Sequence, residues 1–338
     1  MDTRFQKMNE ILTEATEQRK IPGAVLLVGQ GEETQFAGVY GFAQWEPEPL
    51  PMTRDTLFDL ASLTKVTATW PCVARLLQKG TLALDMTLSD MLPRPMREEL
   101  KGITLYQLLT HTAGLTEDED LDGFGPTRRE RADGALTFPL AYPIGAGVHY
   151  SDLGFILLGE IVTEKTGLPL EQAAKNIWTE LGMDSTCFLP EKGSYCAATE
   201  KVNGVVTRGI VHDERAQQLF GVAGHAGAFS TADDLGKYCA ALLPGTGGRV
   251  VNDEWLRRCF TLCVPDEKWN RGLAWVVYRE SPAGNLVGHT GFTGTSLWID
   301  TASKTYCVLL TNRVHPTRAN GNLMEIRARL FDTLYGNK

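Results

Sequence analysis

Apolar positions recur every three or four residues at the start of the chain. Phe5, Met8, Leu12 and Ala15 fall on one face, which predicts an amphipathic helix. The pattern then changes to GAVLLVGQG (23–31), a short apolar run closed by glycine. It reads as a central strand and its turn, with TQFAGVYGFA as the hairpin partner. A helical period returns in LTKVTATWPCVARLLQKG and stops at Gly80. Pro71 predicts a kink near Thr67, because proline has no amide to donate to that carbonyl. From about residue 80 to 190 the chain reads as helices and loops: ITLYQLLTHTAGL, DLGFILLGEIVTEKTG and LEQAAKNIWTELG. TEDEDLDGFGPTRRERADG (116–134) interrupts them and predicts a mobile surface loop at a cleft mouth.

The last third changes character. GLAWVVYRE, NLVGHTG, GTSLWID and TYCVLLTNRV are successive strand-like runs joined by short turns, as in antiparallel hairpins. A final helix carries Leu323, Ile326, Leu330 and Leu334 on one face. The simplest architecture is α+β: an antiparallel sheet flanked by the N- and C-terminal helices, with a mostly helical lobe inserted. Residues 1–61 with 214–338 would form the sheet lobe, and 62–213 the helical lobe, within one unit spanning 1–338.

Charge and composition narrow the function classes. A net charge of −8 argues against nucleic acid as a partner, since phosphates call for a basic face. No apolar run approaches the roughly 20 residues of a membrane span, and the first residues lack the apolar core of a signal peptide. A cytoplasmic protein is expected, although a chain trimmed of its leader would read the same. Seven scattered cysteines fit free thiols better than a disulfide framework. Cys259 and Cys263 lack a second ligand pair for zinc and read as small apolar residues one helical turn apart. His111, His149, His212, His225 and His315 show no ligand spacing, so no metal is expected. No P-loop, G-x-S-x-G elbow or dinucleotide fingerprint is present, so no cofactor is expected either. His225 lies in GVAGHAG, a glycine-rich stretch able to approach a cleft.

Candidate chemistry begins at FDLASLTKVTAT, which places Ser62 and Lys65 three apart at a helix start. A serine hydroxyl needs a base to become nucleophilic, and position i+3 brings an amine to the same face. The first helical turn also offers unpaired N–H groups for an oxyanion. Alone, S-x-x-K arises by chance about once in a chain of this length and equally describes a capping serine with an exposed lysine. Two further motifs bear on it. VHYSDLGF places Tyr150 before a helix that Ser151 or Asp152 can cap. VGHTGFTGTS places His289, Thr290 and Gly291 at a strand end, where glycine lets a ligand approach the backbone.

In this order and spacing the three motifs resemble the serine β-lactamase and penicillin-binding-protein superfamily. The likeness is greatest to its class C β-lactamase, D-alanyl-D-alanine carboxypeptidase and family VIII esterase branch. LQKGTLALDMTLSDMLP, ITLYQLLTHTAGL and GVAGHAGAFSTADDLGKY extend the resemblance over most of the chain. It implies a β-lactamase-like fold and a cofactor-free serine hydrolase with Ser62 as the acylated nucleophile. It also implies that Lys65 and Tyr150 share the base role, and that the backbone N–H groups of Ser62 and Phe292 form the oxyanion hole. Asp152, His289, Thr290 and Gly291 would meet the substrate. Asp152 stands where the branch's β-lactamases carry asparagine, so it either weakens amide recognition or simply caps the helix. His289 replaces lysine and, being largely neutral near pH 7, would hold a substrate carboxylate less firmly. The expected substrate is a small ester or amide, with a muropeptide a candidate from VHDERAQQLFGVAGHAG and no obligate protein partner. The alternatives are an acyltransferase using the same acyl-enzyme, a class C-type β-lactamase and a non-catalytic ligand-binding relative.

Overall fold

The computed structural model describes residues 2–267 and 269–336. Its main sheet has seven strands, in the order Leu50–Pro51, Glu33–Gln44, Gly23–Gln30, Thr305–Thr311, Ser296–Asp300, Leu286–Thr290 and Val276–Arg279. Every pairing in it is antiparallel. The first long strand lies beside the last, with Ala24 opposite Thr311 and Val28 opposite Cys307, so the two ends of the chain meet at the sheet centre.

That central pair is covered on both faces. Ala24, Leu26 and Val28 pack with Met8, Leu12 and Leu330 of the terminal helices, Thr3–Glu17 and Leu323–Tyr335. Val25 and Leu27 face the larger core, which includes Leu235 of the helix Ala232–Ala241. A strand buried on both sides reads as a continuous apolar run, and GAVLLV is one. The expected α+β architecture, with terminal helices against an antiparallel sheet, is therefore present.

Local departures have local causes. The stretch 116–134 is not simply a loop, because Arg128–Asp133 is helical and Leu121 and Ala132 are buried. Thr127 and Glu130 form a capping box there, and Arg131 donates to the carbonyls of Gly125 and Gln218. A hairpin, Ala198–Val202 with Val205–Arg208, lies in the region read as helical. Asn203 and Gly204 turn it with positive φ at both positions, as a type I′ turn requires. Cys263 lies beyond the end of the helix Asp253–Phe260 that buries Cys259, so the two cysteines are not one helical turn apart.

The serine helix starts with an irregularity that Pro71 explains. Lys65–Thr69 winds as a π-helix, and the Trp70 N–H reaches the Lys65 carbonyl. Residue 71 would serve the Thr67 carbonyl in an α-helix or the Val66 carbonyl in the π register, but proline has no N–H. Side chains replace it. Trp178 Nε1 donates to Thr67 O at 2.8 Å, and the Tyr238 hydroxyl donates to Val66 O. The helix is thus widened rather than broken, and Ser62 and Lys65 keep their relative position.

Trp178→Phe should leave the buried Thr67 carbonyl unpaired and cost about 1–3 kcal/mol of stability. Denaturant unfolding checks this, and an unchanged midpoint would show that the carbonyl does not depend on Trp178.

Candidate active site

The nucleophile candidate is set by a turn that its neighbours hold in place. Asp59 accepts the N–H groups of Ala61 at 2.8 Å and His212 at 2.6 Å. Burial pushes its carboxyl up to about 6, against those two hydrogen bonds. Ala61 is turned to a φ of +45°, a strained conformation for a residue with a Cβ. Thr293 Oγ1 donates to Asp59 O at 2.7 Å and Thr295 Oγ1 to Leu60 O at 2.9 Å. The serine turn and the turn after the His289 strand are thereby stitched together. Gly291 belongs to that seam: a Cβ there would lie 2.4 Å from Leu60 O and 2.2 Å from Thr295 Oγ1. The glycine admits this close packing, and Gly291 also lines the cavity described below.

Lys65 is fully buried, and besides the Tyr150 hydroxyl its ammonium has three polar neighbours. They are Ser62 Oγ at 3.0 Å, the His225 carbonyl at 3.2 Å and Asp152 Oδ1 at 2.6 Å. Burial works against the charge, but Asp152 and Tyr150 outweigh it and the amine is held above its ordinary value. The Tyr150 hydroxyl is within hydrogen-bond reach of both Lys65 and Ser62. Burial and the Asp152 charge push that hydroxyl up, against Lys65, so the net effect is not the lowering expected from a neighbouring cation.

Asp152 is not the helix cap. Ser151 caps the helix Asp152–Thr166 by accepting the Gly154 N–H at 3.1 Å, and it donates to Thr116 O at 2.7 Å. Relieved of capping, the Asp152 carboxylate turns to Lys65 instead of to the open cleft. His111 anchors the same strip: its Nδ1 accepts the Ser151 N–H at 3.1 Å and its ring stacks on Tyr150 at 4.5 Å.

The GVAGHAG stretch does approach the site, through the His225 carbonyl on Lys65. His225 Nε2 in turn pairs with Asp213 at 2.7 Å, and Asp213 also caps the short helix Glu214–Gln218. Burial raises the Asp213 carboxyl, but the His225 charge and hydrogen bonds hold it well below the usual carboxylate range. Asp152, Asp213 and His225 are the one group among the described residues whose ligand atoms could converge on a metal ion. The Lys65 ammonium is already in contact with Asp152 and the His225 carbonyl, and a second cation there would meet its repulsion. The donor set therefore fits a lysine cradle rather than a metal centre.

Above this cradle opens a cavity of about 740 Å³, lined by Ser62, Tyr150, His289, Thr290, Gly291 and Phe292 among others. His289 is buried, and its Nδ1 donates to the Thr290 carbonyl at 2.9 Å, leaving Nε2 as an acceptor without a partner. Burial, then the charges of Arg271 and Lys65, hold it neutral, well below its ordinary value. Phe292 is half-exposed at the rim, with its ring against His212 at 5.7 Å and the Arg313 guanidinium at 4.6 Å. Sequence reasoning missed Arg271, which lies under the cavity and over the Tyr150 ring, because nothing in RGLAW distinguishes a buried arginine from an exposed one. It also missed Asp213, for which the capping pattern before ERAQQ was a partial signal.

A protein-family model described as Beta-lactamase matches residues 8–330. N-acetylmuramyl-L-alanine amidase of Bacillus subtilis (strain 168) is 32% identical, over 87% of this chain and 78% of that protein. A putative D-alanyl-D-alanine carboxypeptidase of Escherichia coli (strain K12) is 30% identical, over 82% and 75%. Among solved structures, EstCE1, titled a hydrolase with promiscuous acyltransferase activity, superposes with a TM-score of 0.80 over 97% of this chain and 98% of its own, at 21% identity.

Proposed function

This chain belongs to the beta-lactamase family of serine hydrolases, and on that premise we propose that it cleaves a small ester or amide through an acyl-enzyme on Ser62. The observation that carries this reading is the Lys65 ammonium, 3.0 Å from Ser62 Oγ and 2.6 Å from a carboxylate, beneath an open cavity.

At rest Lys65 is charged and Tyr150 keeps its proton, since both are held above their ordinary values. Loss of one proton from this coupled pair creates the base. Ser62 Oγ then attacks the substrate carbonyl, and its proton enters the Lys65–Tyr150 pair. The backbone N–H groups of Ser62 and Phe292 receive the oxyanion. The pair returns the proton to the leaving group, and water repeats the sequence on the acyl-enzyme. Thr290 and His289 flank the substrate along the strand edge. A peptidoglycan-fragment peptide is the favoured substrate class, since the two relatives carry amidase and carboxypeptidase names and the cavity has the volume of a small-molecule site.

Ser62→Ala should lower kcat by on the order of 10³-fold or more, as removal of an activated nucleophile does. Near-normal turnover of muropeptides or p-nitrophenyl esters by this variant would refute the mechanism.

Asp152→Asn should move the low-pH limb of kcat/KM to lower pH. The Asp152 charge raises both Lys65 and Tyr150, and activity needs one of them deprotonated, so removing it lets the base form at lower pH. The other charged or titratable groups around Lys65 — Asp213, His111 and His289 — are unchanged in this variant. A limb that stays in place or moves to higher pH would show that Asp152 does not bias the base.

A further inference from the structure

Tyr150 lies in a stretch, residues 137–151, that is neither helix nor strand, so no hydrogen-bonded ladder of its own holds it in place. Its support comes largely from one residue, His111. The His111 carbonyl accepts the His149 N–H at 2.8 Å, and its Nδ1 accepts the Ser151 N–H at 3.1 Å. Between these two anchors the His111 ring stacks on the Tyr150 ring at 4.5 Å and 27°, and it is itself packed against Phe155 at 5.1 Å. Residues 149, 150 and 151 are thus each held by a different part of His111.

His111 stands where a helix end normally carries no ring. The helix Leu105–Leu109 closes in a Schellman motif: the Thr112 N–H reaches the Gln107 carbonyl at 2.9 Å, and the His111 N–H reaches the Leu108 carbonyl at 3.4 Å. His111 is the left-handed residue of that motif, with a φ of +57°, a place usually taken by glycine. A residue with a Cβ is strained there and gives the helix end nothing that glycine would not. We propose that His111 is the positioning residue of Tyr150, keeping its hydroxyl within reach of Ser62 and Lys65, and that it acts on the reaction only through that tyrosine. The assignment rests on the Ser62 reading. The protonation state fits it. Nδ1 can accept the Ser151 N–H only while the ring is neutral, and burial, then the charges of Arg271 and Lys65, hold the imidazole well below its ordinary value.

The test compares His111→Gly and His111→Asn, each alone and combined with Tyr150→Phe, in steady-state hydrolysis of p-nitrophenyl acetate. Glycine keeps the turn and removes the side chain. Asparagine also tolerates a positive φ, and its Oδ1 can accept in place of Nδ1. His111→Gly should lower kcat by about tenfold or more with KM within about twofold, the pattern of a misplaced reacting group rather than of a lost substrate contact. His111→Asn, which lacks only the ring stack, should lose about a few-fold by the same reasoning. Neither should lower kcat further in the Tyr150→Phe protein, because a residue acting through Tyr150 has nothing left to position. The same loss in both backgrounds, an asparagine variant no better than the glycine one, or a rise in KM at unchanged kcat would overturn the proposal. If His111→Gly does not fold, His111→Asn decides. A loss confined to protein that retains Tyr150 supports the assignment, while an unchanged kcat or an equal loss in both backgrounds refutes it. Near-normal turnover by Ser62→Ala would remove the underlying reading and this role with it. Dependence on Ser62 and Tyr150 with equal His111 effects in both backgrounds would refute the His111 role alone.

Discussion

A buried ammonium group is costly unless its charge and all its protons are satisfied, and the site is organised around meeting that condition at Lys65. Besides Tyr150, its neighbours come from three separate parts of the chain: Ser62 one turn back, Asp152 at the start of the long helix and the carbonyl of His225. Each is held by something further out. Ser151 caps the helix so that Asp152 is free to turn inward. Asp213 pairs with His225 and fixes the loop that offers the carbonyl. Gly224 lets that loop sit against the long helix, where a Cβ would lie 1.9 Å from the Phe155 carbonyl. Satisfying one cation therefore fixes the relative placement of the serine helix, the tyrosine strip and the glycine-rich loop.

The sheet contributes the other half of the site through backbone geometry. The strand ending at Thr290 turns at Gly291, and the turn is tied to residues 59 and 60 by two threonine hydroxyls. Asp59 also enters a small second sheet, in which Phe58–Asp59 and Cys187–Phe188 flank Ala228–Ser230. The backbone before Ser62 is thus held from both sides, which sustains the positive φ at Ala61. The π-wound start of the serine helix follows the same logic, with Trp178 and Tyr238 supplying the donors that Pro71 lacks.

Much of this was legible in the sequence where a single local rule decides the outcome. The central strands declared themselves as unbroken apolar runs because they are covered on both faces. The terminal helices declared themselves by a 3.6-residue period. The three short motifs pointed to one cavity, and the structure brings Ser62, Tyr150, His289, Thr290, Gly291 and Phe292 to its wall. Two features were written in the chain but outweighed by other signals: the Thr127–Glu130 capping box inside a strongly charged stretch, and the Asn203-Gly204 turn inside a region read as helical. The direction of the Asp152 side chain was not legible, because it depends on which of two adjacent residues wins the cap. The burial of Arg271 was not legible either, since its surroundings come from Tyr150, His111 and His289, which lie far from it in sequence or on another strand.

The central claim is that Lys65 is buried as a cation and stays one at rest. Carbon-13 NMR of protein carrying lysine labelled at Cε tests it most directly, with the Lys65 resonance assigned from a Lys65→Met variant. Titrated from about pH 6 to 10, a range that ends near the ordinary lysine value, Lys65 should keep its ammonium shift at least as long as the surface lysines do. Loss of its proton well below the surface lysines would contradict the claim and make neutral Lys65 the resting base.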